Sequence, residues 1–145
     1  MQEKPWLGRL KWFAIKAEVR DLAATSYTFV GQKTMYGGKR IAAGDPVFIF
    51  ASENEGGVGL FGRGIVTQLS PVARTAAIRQ TPRMSVTIER NGTATRALGR
   101  AELRRIRGMA SDEPEGELDF KLYRQATNKI VGLSDRTGEF LNDLF

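Results

Sequence analysis

The chain has 145 residues and a formal net charge of +6, and 41% of its residues are hydrophobic and 26% are charged. This length and composition are typical of one globular domain, so we expect a single domain over residues 1–145. Cysteine and histidine are both absent. Their absence excludes disulfides, Cys or His metal ligands and Cys-His or Ser-His-Asp catalysis, which leaves carboxylates, Lys, Tyr, Ser and Thr for any chemistry.

The charge is unevenly distributed. Up to Arg107 there are 18 Lys and Arg against 8 Asp and Glu, whereas from Gly108 onward there are 4 against 8. A basic body indicates a polyanionic partner, because Lys and Arg gain affinity for phosphates through counterion release. A basic surface that only aids solubility explains the same charge, so charge alone does not decide between the two.

The sequence contains no signal for a membrane or for export. No apolar run approaches the roughly 20 residues that a membrane span needs. Met1 is followed by Gln-Glu-Lys-Pro rather than by a charged and then an apolar segment. We therefore expect a cytoplasmic protein.

The first forty residues predict one strand and a loop. Residues 11–17 (KWFAIKA) mix apolar, aromatic and basic residues as a half-buried strand does. Residues 18–24 predict a short helix. Residues 25–39 carry aromatics and are punctuated by glycines, which predicts a loop and a candidate binding lip.

Two further strands follow a turn. Gly44-Asp45-Pro46 predicts the turn, and the apolar run VFIFA after it predicts a buried strand. Residues 58–69 predict a strand interrupted by glycines, which indicate a bulge, sharp curvature or close backbone approach. Residues 52–57 (SENEGG) join these strands, so we expect this polar loop at one rim of a sheet.

The middle of the chain predicts more strands. Residues 74–78 and 84–89 show a weak alternation of apolar and polar residues, which predicts two strands. Asn91-Gly92 predicts a turn after the second. These strands complete a predicted meander of four or five.

Short helices and a last strand are predicted in the C-terminal part. Residues 100–107 (RAELRRIR) predict a short amphipathic surface helix, and residues 111–117 (SDEPEGE) an acidic loop. Residues 129–133 predict the last strand, and Ser134 is a good N-cap for a terminal helix. Many short strands with two or three small helices predict a barrel-like α+β domain.

Six segments carry a resemblance to a known family when they are taken in this order. They are WFAIKAE, GDPVFIFASEN, the glycine-rich strand after it, PRMSVTIE, AELRRI and LYRQATNKIVGLS. In this order the chain resembles the EVE domain, a member of the PUA-like superfamily that also includes ASCH and YTH modules. The matching positions are Trp12, Lys16, Ala17, Glu18, Gly44, Asp45, Ser52, Asn54, Leu122, Tyr123, Arg124 and Asn128. The resemblance implies an α+β fold, a PUA-like open β-barrel of about five to six strands with two to three short helices.

The chain departs from the family pattern at two places. Ala17 stands where the family usually has Ser. Residues 35–40 read MYGGKR, where the family tends to carry Val-Arg-Asn. Because that loop helps to hold the base in relatives, the departure leaves the identity of the ligand open.

The resemblance implies nucleic-acid binding through a pocket at one barrel rim. In EVE and YTH relatives aromatic rings stack on a modified, flipped-out base. Extruding a base costs a few kcal/mol, which stacking at about 1 to 3 kcal/mol per base and hydrogen bonds to the base edge must offset. Such a site needs aromatic rings beside polar groups. Our candidates for the base pocket are Trp12, Lys16, Tyr36, Ser52, Glu53, Asn54, Tyr123 and Asn128, with Tyr36 preferred over Tyr27 and Phe29 as the loop aromatic.

Basic side chains near this rim are candidates for phosphate contacts. They are Lys39, Arg40, Arg104 and Arg124, and the arginines of residues 100–107 line much of one helix face. We expect no catalytic residue, no cofactor and no metal site.

Each candidate also has a purely structural explanation. Trp12 is equally explained as a core-filling ring, and Lys16 as a solvated strand lysine. Turn formation accounts for the polar residues at 52–54, and ordinary surface packing accounts for the residue types at 123–128. The arginine row is explained as a solvated helix face.

Three other functions compete with nucleic-acid binding. ASCH relatives include amidohydrolases of acetylated bases and ribonucleases, which makes Lys16 and Glu18 candidates for catalysis. Asp119-Phe120-Lys121 faintly resembles a metal-nuclease motif but lacks the strand-borne Asp. A protein-interaction domain is the third alternative, and a salt-insensitive partner would favour it, whereas nucleic-acid affinity falls steeply with salt.

Overall fold

The computed structural model of the chain describes residues 12–73, 82–105, 113–124 and 128–145. These residues form six strands: β1 (Trp12–Ala17), β2 (Ser26–Met35), β3 (Pro46–Ala51), β4 (Gly59–Pro71), β5 (Arg83–Thr93) and β6 (Lys129–Leu133). They also form three short α-helices: α1 (Arg100–Arg104), α2 (Pro114–Leu118) and α3 (Asp135–Asn142). Single turns of 3-10 helix occur at Gly38–Arg40 and Glu53–Glu55, and a π-helical turn at Asp119–Tyr123.

The six strands close into a barrel in the order β1-β3-β4-β5-β2-β6. β1 pairs in parallel with β3 and β2 in parallel with β6, while the other four pairings are antiparallel. The predicted barrel of five to six strands with two to three short helices is therefore confirmed. Its strands close fully, where an open barrel was expected, and the two parallel pairings make the order more complex than a meander.

β1 and β3 are buried on both faces because they lie between two hydrophobic clusters. Phe13 and Ile15 belong to the cluster made almost entirely from strand residues, which fills the barrel. Their neighbour Ala14 belongs to a second cluster, which includes Leu103 of α1 and Leu141 of α3. Because side chains alternate along a strand, even-numbered β1 residues face the helices and odd-numbered ones face the barrel interior.

The predictions for the turn before β3, for β3, β4 and β6 and for the cap of α3 are confirmed. Gly44 has φ +94°, and the Asp45 carboxylate accepts a hydrogen bond from the Ala42 N–H at 2.8 Å, which closes the turn. Ser134 Oγ accepts from the Thr137 N–H at 3.2 Å, as an N-cap does.

The prediction of a loop over residues 25–39 was wrong, because most of it is β2. Tyr27 and Phe29 alternate into the barrel and are buried. A β-bulge separates Phe29 from Gln32, and its Gly31 has φ +64°. The glycine that indicated a loop therefore marks a bulge inside a strand.

Three other local predictions were also wrong. Residues 18–24 form turns rather than a helix, because the Asp21 carboxylate accepts from the Ala23 N–H at 2.9 Å and competes with helical pairing. Asn91-Gly92 lies inside β5, where the register with β4 shifts. Pro114 begins α2 in the predicted acidic loop, since proline is well tolerated in the first turn of a helix.

Glu117 joins α2 to the start of α3. Its carboxylate accepts hydrogen bonds from Ser134 Oγ at 2.7 Å and Thr137 Oγ1 at 2.6 Å. It also accepts from Lys121 Nζ at 2.8 Å and the Ser134 N–H at 2.9 Å. Although burial favours the neutral form, these hydrogen bonds hold the pKa of Glu117 below its usual value.

Some predicted features fall outside the described residues. They are the strand over 74–78, Lys11 at the start of the first strand, the last two residues of the helix predicted over 100–107, and residues 111–112 of the acidic loop. In the part of the chain that the structure describes, no helix is long and apolar enough to cross a membrane.

Candidate functional site

Lys16, Glu53 and Tyr123 come together at the rim where β1 and β3 end. The Lys16 Nζ lies 4.7 Å from the centre of the Tyr123 ring, a cation–π contact. The Tyr123 hydroxyl donates to a Glu53 carboxylate oxygen at 3.1 Å. A cation, an aromatic ring and a carboxylate from three separate segments are thus in a single chain of contacts, which we call the rim site.

α1 positions Glu53. The backbone N–H of Arg100 donates to Glu53 Oε2 at 2.7 Å, and the Arg100 guanidinium donates to the side-chain oxygen of Asn54. Gly99 precedes α1, and a Cβ there would collide with the Glu53 carboxylate. Glycine at this position therefore allows the carboxylate to reach the first backbone N–H of the helix, that of Arg100.

Ser52 and Asn54 occupy different positions beside these residues. Ser52 is buried, and its backbone N–H donates to the carbonyl of Ala17 at 2.8 Å, which ties the end of β3 to the end of β1. Asn54 is exposed and contacts Arg100. Ser52 thus contributes to the frame of the rim site, while Asn54 lies at its surface.

Burial shapes the electrostatics of this rim. Lys16 is only 2% exposed, and burial lowers its pKa, while the negative charge of Glu53 partly opposes that change. Burial also raises the pKa of Tyr123, and the charge and hydrogen bond of Glu53 raise it further. The Tyr123 hydroxyl therefore stays protonated and acts as a hydrogen-bond donor.

Lys129, which the sequence reasoning placed only in a strand, lies beside this site. It pairs with Lys16 across β1 and β6 and with Lys33 across β2 and β6. Lys129 is 0% exposed, and within the described ranges its Nζ has no hydrogen-bond partner. Burial and the positive charges of Lys16 and Lys33 lower the pKa of Lys129 to about 8. The only sign of this residue in the sequence is a lysine at the start of an apolar strand.

The structure does not bring Trp12 to the rim site. Trp12 pairs with Leu133, four residues along β1 from Lys16. Its ring stacks on Phe48 with a centroid separation of 5.8 Å, and the backbone of Gly138 in α3 leaves room for it. Trp12 thus lies against the helices, in the core-filling role that was the structural alternative.

Tyr36 belongs to a second exposed group. Its ring centroid lies 5.6 Å from that of Phe120, and the Lys121 Nζ lies 5.9 Å from the centre of the Tyr36 ring. Tyr36 is 37% exposed and Phe120 51%. Tyr36 has φ +53°, a left-handed conformation that is unusual for a large side chain. We call Tyr36 and Phe120 the exposed aromatic pair.

The remaining candidates are dispersed around these groups. Lys39 and Arg40 are exposed on the 3-10 turn whose Gly38 lies against the backbone of Ile130 in β6. Arg104 is exposed on α1, and Asn128 is exposed immediately before β6. The half-exposed Arg124 donates to the buried Asp119 at 2.9 Å.

The residues of the competing enzyme hypotheses have other partners. Glu18 pairs with Arg20 at 3.1 Å. Lys121 donates to Glu117 and, at 2.7 Å, to the carbonyl of Gly132. Among residues 12–73, 82–105, 113–124 and 128–145, no group of three or more Asp and Glu side chains could hold a metal ion.

Solved structures with this fold include proteins from human and bacterial sources. Human THYN1, crystallised in complex with 5-methylcytosine-containing DNA, has a TM-score of 0.62 at 14% identity, over 92% of this chain and 96% of that one. A Pseudomonas putida protein has a TM-score of 0.60 at 13% identity, over 92% and 98%. A mutant of ZmASCH from Zymomonas mobilis has a TM-score of 0.51 at 11% identity, over 92% and 98%.

These similarities define the fold of the chain as PUA-like, which confirms the fold implied by the resemblance to EVE domains. At 11–14% identity they show the fold alone. No protein-family model matches the sequence, and no curated protein is significantly similar to it.

Proposed function

We propose that the chain is a nucleic-acid-binding module that holds a modified or flipped-out base of DNA or RNA at the rim site. The observation that carries the proposal is the meeting of Lys16, Glu53 and Tyr123 at one end of the barrel. They combine an aromatic ring with a cation and a carboxylate, the groups that stack on a base and bind its polar edge.

In this proposal each side chain of the rim site has a separate role. The Tyr123 ring stacks on the base, and Glu53 and Asn54 bind the polar edge of the base. Ser52 holds the backbone before Glu53 in place through its hydrogen bond to Ala17. Lys16 donates to a carbonyl or phosphate oxygen. Asn128 contributes a further polar group from the start of β6.

The surroundings of the rim site suit a nucleic-acid backbone. Lys39, Arg40, Arg104 and Arg124 supply positive charge for phosphates, which positions the ligand without specifying its sequence. The exposed aromatic pair lies farther along β6, where the Tyr36 carbonyl accepts from the Gly132 N–H, and offers a stacking surface to a more distant base. Trp12 stabilises the fold and does not contact the ligand.

The fold supports the same proposal. Human THYN1 shares the fold and was crystallised in complex with 5-methylcytosine-containing DNA. A base in a barrel-rim pocket of this chain is consistent with that precedent. The wide difference in sequence leaves the ligand to be identified by experiment.

A fluorescence-polarisation screen tests the proposal. The probes are single- and double-stranded DNA and RNA oligonucleotides, plain or carrying methylated, hydroxymethylated or acetylated bases, each at two salt concentrations. We expect binding that weakens as salt rises and strengthens with one modification. Failure of every oligonucleotide to bind would contradict the proposal and direct attention to a protein partner or a nucleoside substrate.

Variants locate the site within this screen. We expect Tyr123→Ala and Lys16→Met each to weaken binding about tenfold or more, in line with about 1 to 3 kcal/mol per stacked base or charged hydrogen bond. Arg136→Met is the control, because it removes one positive charge from α3, away from the rim site. Equal losses in Lys16→Met and Arg136→Met would mean that net charge, and not the position of Lys16, determines its effect on binding.

A further inference from the structure

Three lysines form a row across three neighbouring strands. Lys129 in β6 pairs with Lys16 of β1 on one side and with Lys33 of β2 on the other. Residues directly opposite each other in a sheet have their side chains on the same face, about 5 Å apart at Cβ. The three lysine side chains therefore lie on the same, outer face of the barrel, and one of them belongs to the rim site.

Lys129 is the unusual member of the row. Its side chain is fully buried, and no described residue accepts a hydrogen bond from its Nζ. An ammonium group has three hydrogens to donate, and burying it without a partner is strongly unfavourable. Nearly all buried polar groups in native proteins have partners, so an unpartnered ammonium group calls for an explanation such as a bound ion, a water molecule or a catalytic role.

Two carboxylates, those of Glu53 and Glu55, act on Lys16 at one end of the row. Glu53 also accepts from the Tyr123 hydroxyl and from the Arg100 N–H. The charges that act on Lys129 are the positive ones of Lys16 and Lys33, so the row has an excess of positive charge that an anion would balance.

We infer that Lys129, with Lys16 and Lys33 on either side, binds the oxygen atoms of a phosphate group. A phosphate offers several acceptor oxygens and negative charge, which matches three adjacent amines. The long flexible stems of the lysines allow their amines to close around it. The inference rests on the proposed function in so far as the phosphate belongs to a bound nucleic acid, and it adds Lys129 and Lys33 to the ligand contacts.

The first experiment uses inorganic phosphate alone. Thermal unfolding is followed with increasing phosphate, against chloride at equal ionic strength, for the wild type, Lys129→Met and Arg136→Met. A ligand that binds only the folded protein raises Tm with its concentration. We expect phosphate to stabilise the wild type and Arg136→Met, but not Lys129→Met. Lys129→Gln, a smaller change in polarity, is expected to show the same loss and replaces the Met variant if that variant does not fold.

The second experiment uses the best oligonucleotide from the screen. Loss of one phosphate contact reduces the slope of log K against log salt by about 1 and weakens binding to all sequences alike. We expect this change in Lys129→Met and not in Arg136→Met. A lysine with a purely structural role would leave the slope unchanged.

The two experiments separate the possible results. Phosphate stabilisation that depends on Lys129, without any oligonucleotide binding, would support a site for free phosphate or a mononucleotide and contradict the proposed function. A reduced salt slope without an effect of inorganic phosphate would identify the phosphate as that of the nucleic-acid backbone. If Lys129→Met changes neither phosphate stabilisation nor the salt slope, the inference is overturned while the proposed function stands.

Discussion

The Nζ of Lys16 lies 4.7 Å from the centre of the Tyr123 ring, although the two residues are separated by most of the chain. The contact joins the first strand of the barrel to the π-helical turn before the last one. The Tyr123 hydroxyl extends it to Glu53, which α1 holds through the Arg100 backbone. The rim site is therefore built from distant parts of the sequence that the barrel brings together.

Tyr123→Phe tests the polar end of this chain of contacts. The variant keeps the ring and its contact with Lys16 but removes the hydrogen bond to Glu53. We expect the free energy of unfolding to fall by about 1.5 to 3 kcal/mol, the usual range for a hydrogen bond to a charged group. Urea denaturation measures this change. If Tyr123→Phe binds nucleic acid as weakly as Tyr123→Ala, the hydroxyl rather than the ring makes the essential contact.

Trp12→Ala tests the assignment of Trp12 to the fold. Removal of a ring stacked on Phe48 should lower the free energy of unfolding by roughly 3 kcal/mol, the lower end for large aromatic truncations, because Trp12 is only partly buried. Nucleic-acid affinity, measured at a temperature where the variant is folded, should be unchanged. A selective loss of affinity would return Trp12 to the base pocket.

Glu117→Gln tests the junction of α2 and α3. Because hydrogen bonds lower the folded-state pKa of Glu117, its stabilisation is complete above the unfolded pKa of about 4.3 and is lost as pH falls through the folded value. We expect the variant to be less stable by about 1.5 to 3 kcal/mol at pH 7. The two stability curves should converge as pH falls through the folded-state pKa of Glu117, which lies below its unfolded value. Curves that stay parallel throughout the acid range would show that the charge of Glu117 contributes nothing.

Lys129 should make stability depend on pH in the alkaline range. Its folded-state pKa of about 8 lies below the unfolded value of about 10.4, so between these values the unfolded chain binds more protons and stability rises with pH. The expected rise is roughly 3 kcal/mol. Well below pH 8 Lys129 is fully charged in the folded protein, and its buried charge then lowers the free energy of unfolding by the whole of this amount. Lys129→Met should therefore be more stable than the wild type at pH 7.

The groups around Lys129 define the control for this experiment. Lys16 and Lys33 face it from the neighbouring strands, and they remain in the Lys129→Met variant. Comparing the two proteins across pH 7 to 11 therefore isolates the titration of Lys129. A wild type that shows no more alkaline stabilisation than the variant would mean that Lys129 is not charged and buried at neutral pH.

Some elements were predictable because their signals are local. The turn at Gly44-Asp45-Pro46 and the cap at Ser134 depend on hydrogen bonds within a few residues. The apolar runs of β3 and β6 indicate burial by their residue types alone, and both strands are buried in the structure. By contrast, β2 looked like a loop, because Gly31 and the following glycines are typical turn residues, and only pairing with β5 and β6 shows that it is a strand.

The residues of the candidate site also fall into those that the sequence indicated and those that only the structure shows. The sequence identified Lys16, Glu53, Asn54 and Tyr123, since a resemblance in segment order indicated which loops meet at the rim. It also indicated Trp12, which the structure places at the other end of β1. It did not indicate Lys129, whose place beside Lys16 follows from strand register. Nor did it indicate that the Arg100 backbone holds Glu53, which follows from the position of α1.

By itself, the sequence determined the net charge and the residue types available for binding, because these depend on composition alone. Local periodicity indicated a barrel-like α+β domain, and the resemblance in segment order implied its PUA-like type. The tertiary structure alone decided which side chains meet. Closing the barrel places Lys129 between Lys16 and Lys33, whose positions in the chain give no sign of contact. Burial then shifts the pKa of Lys16 and Lys129, because the loss of water around a charge depends on the whole fold.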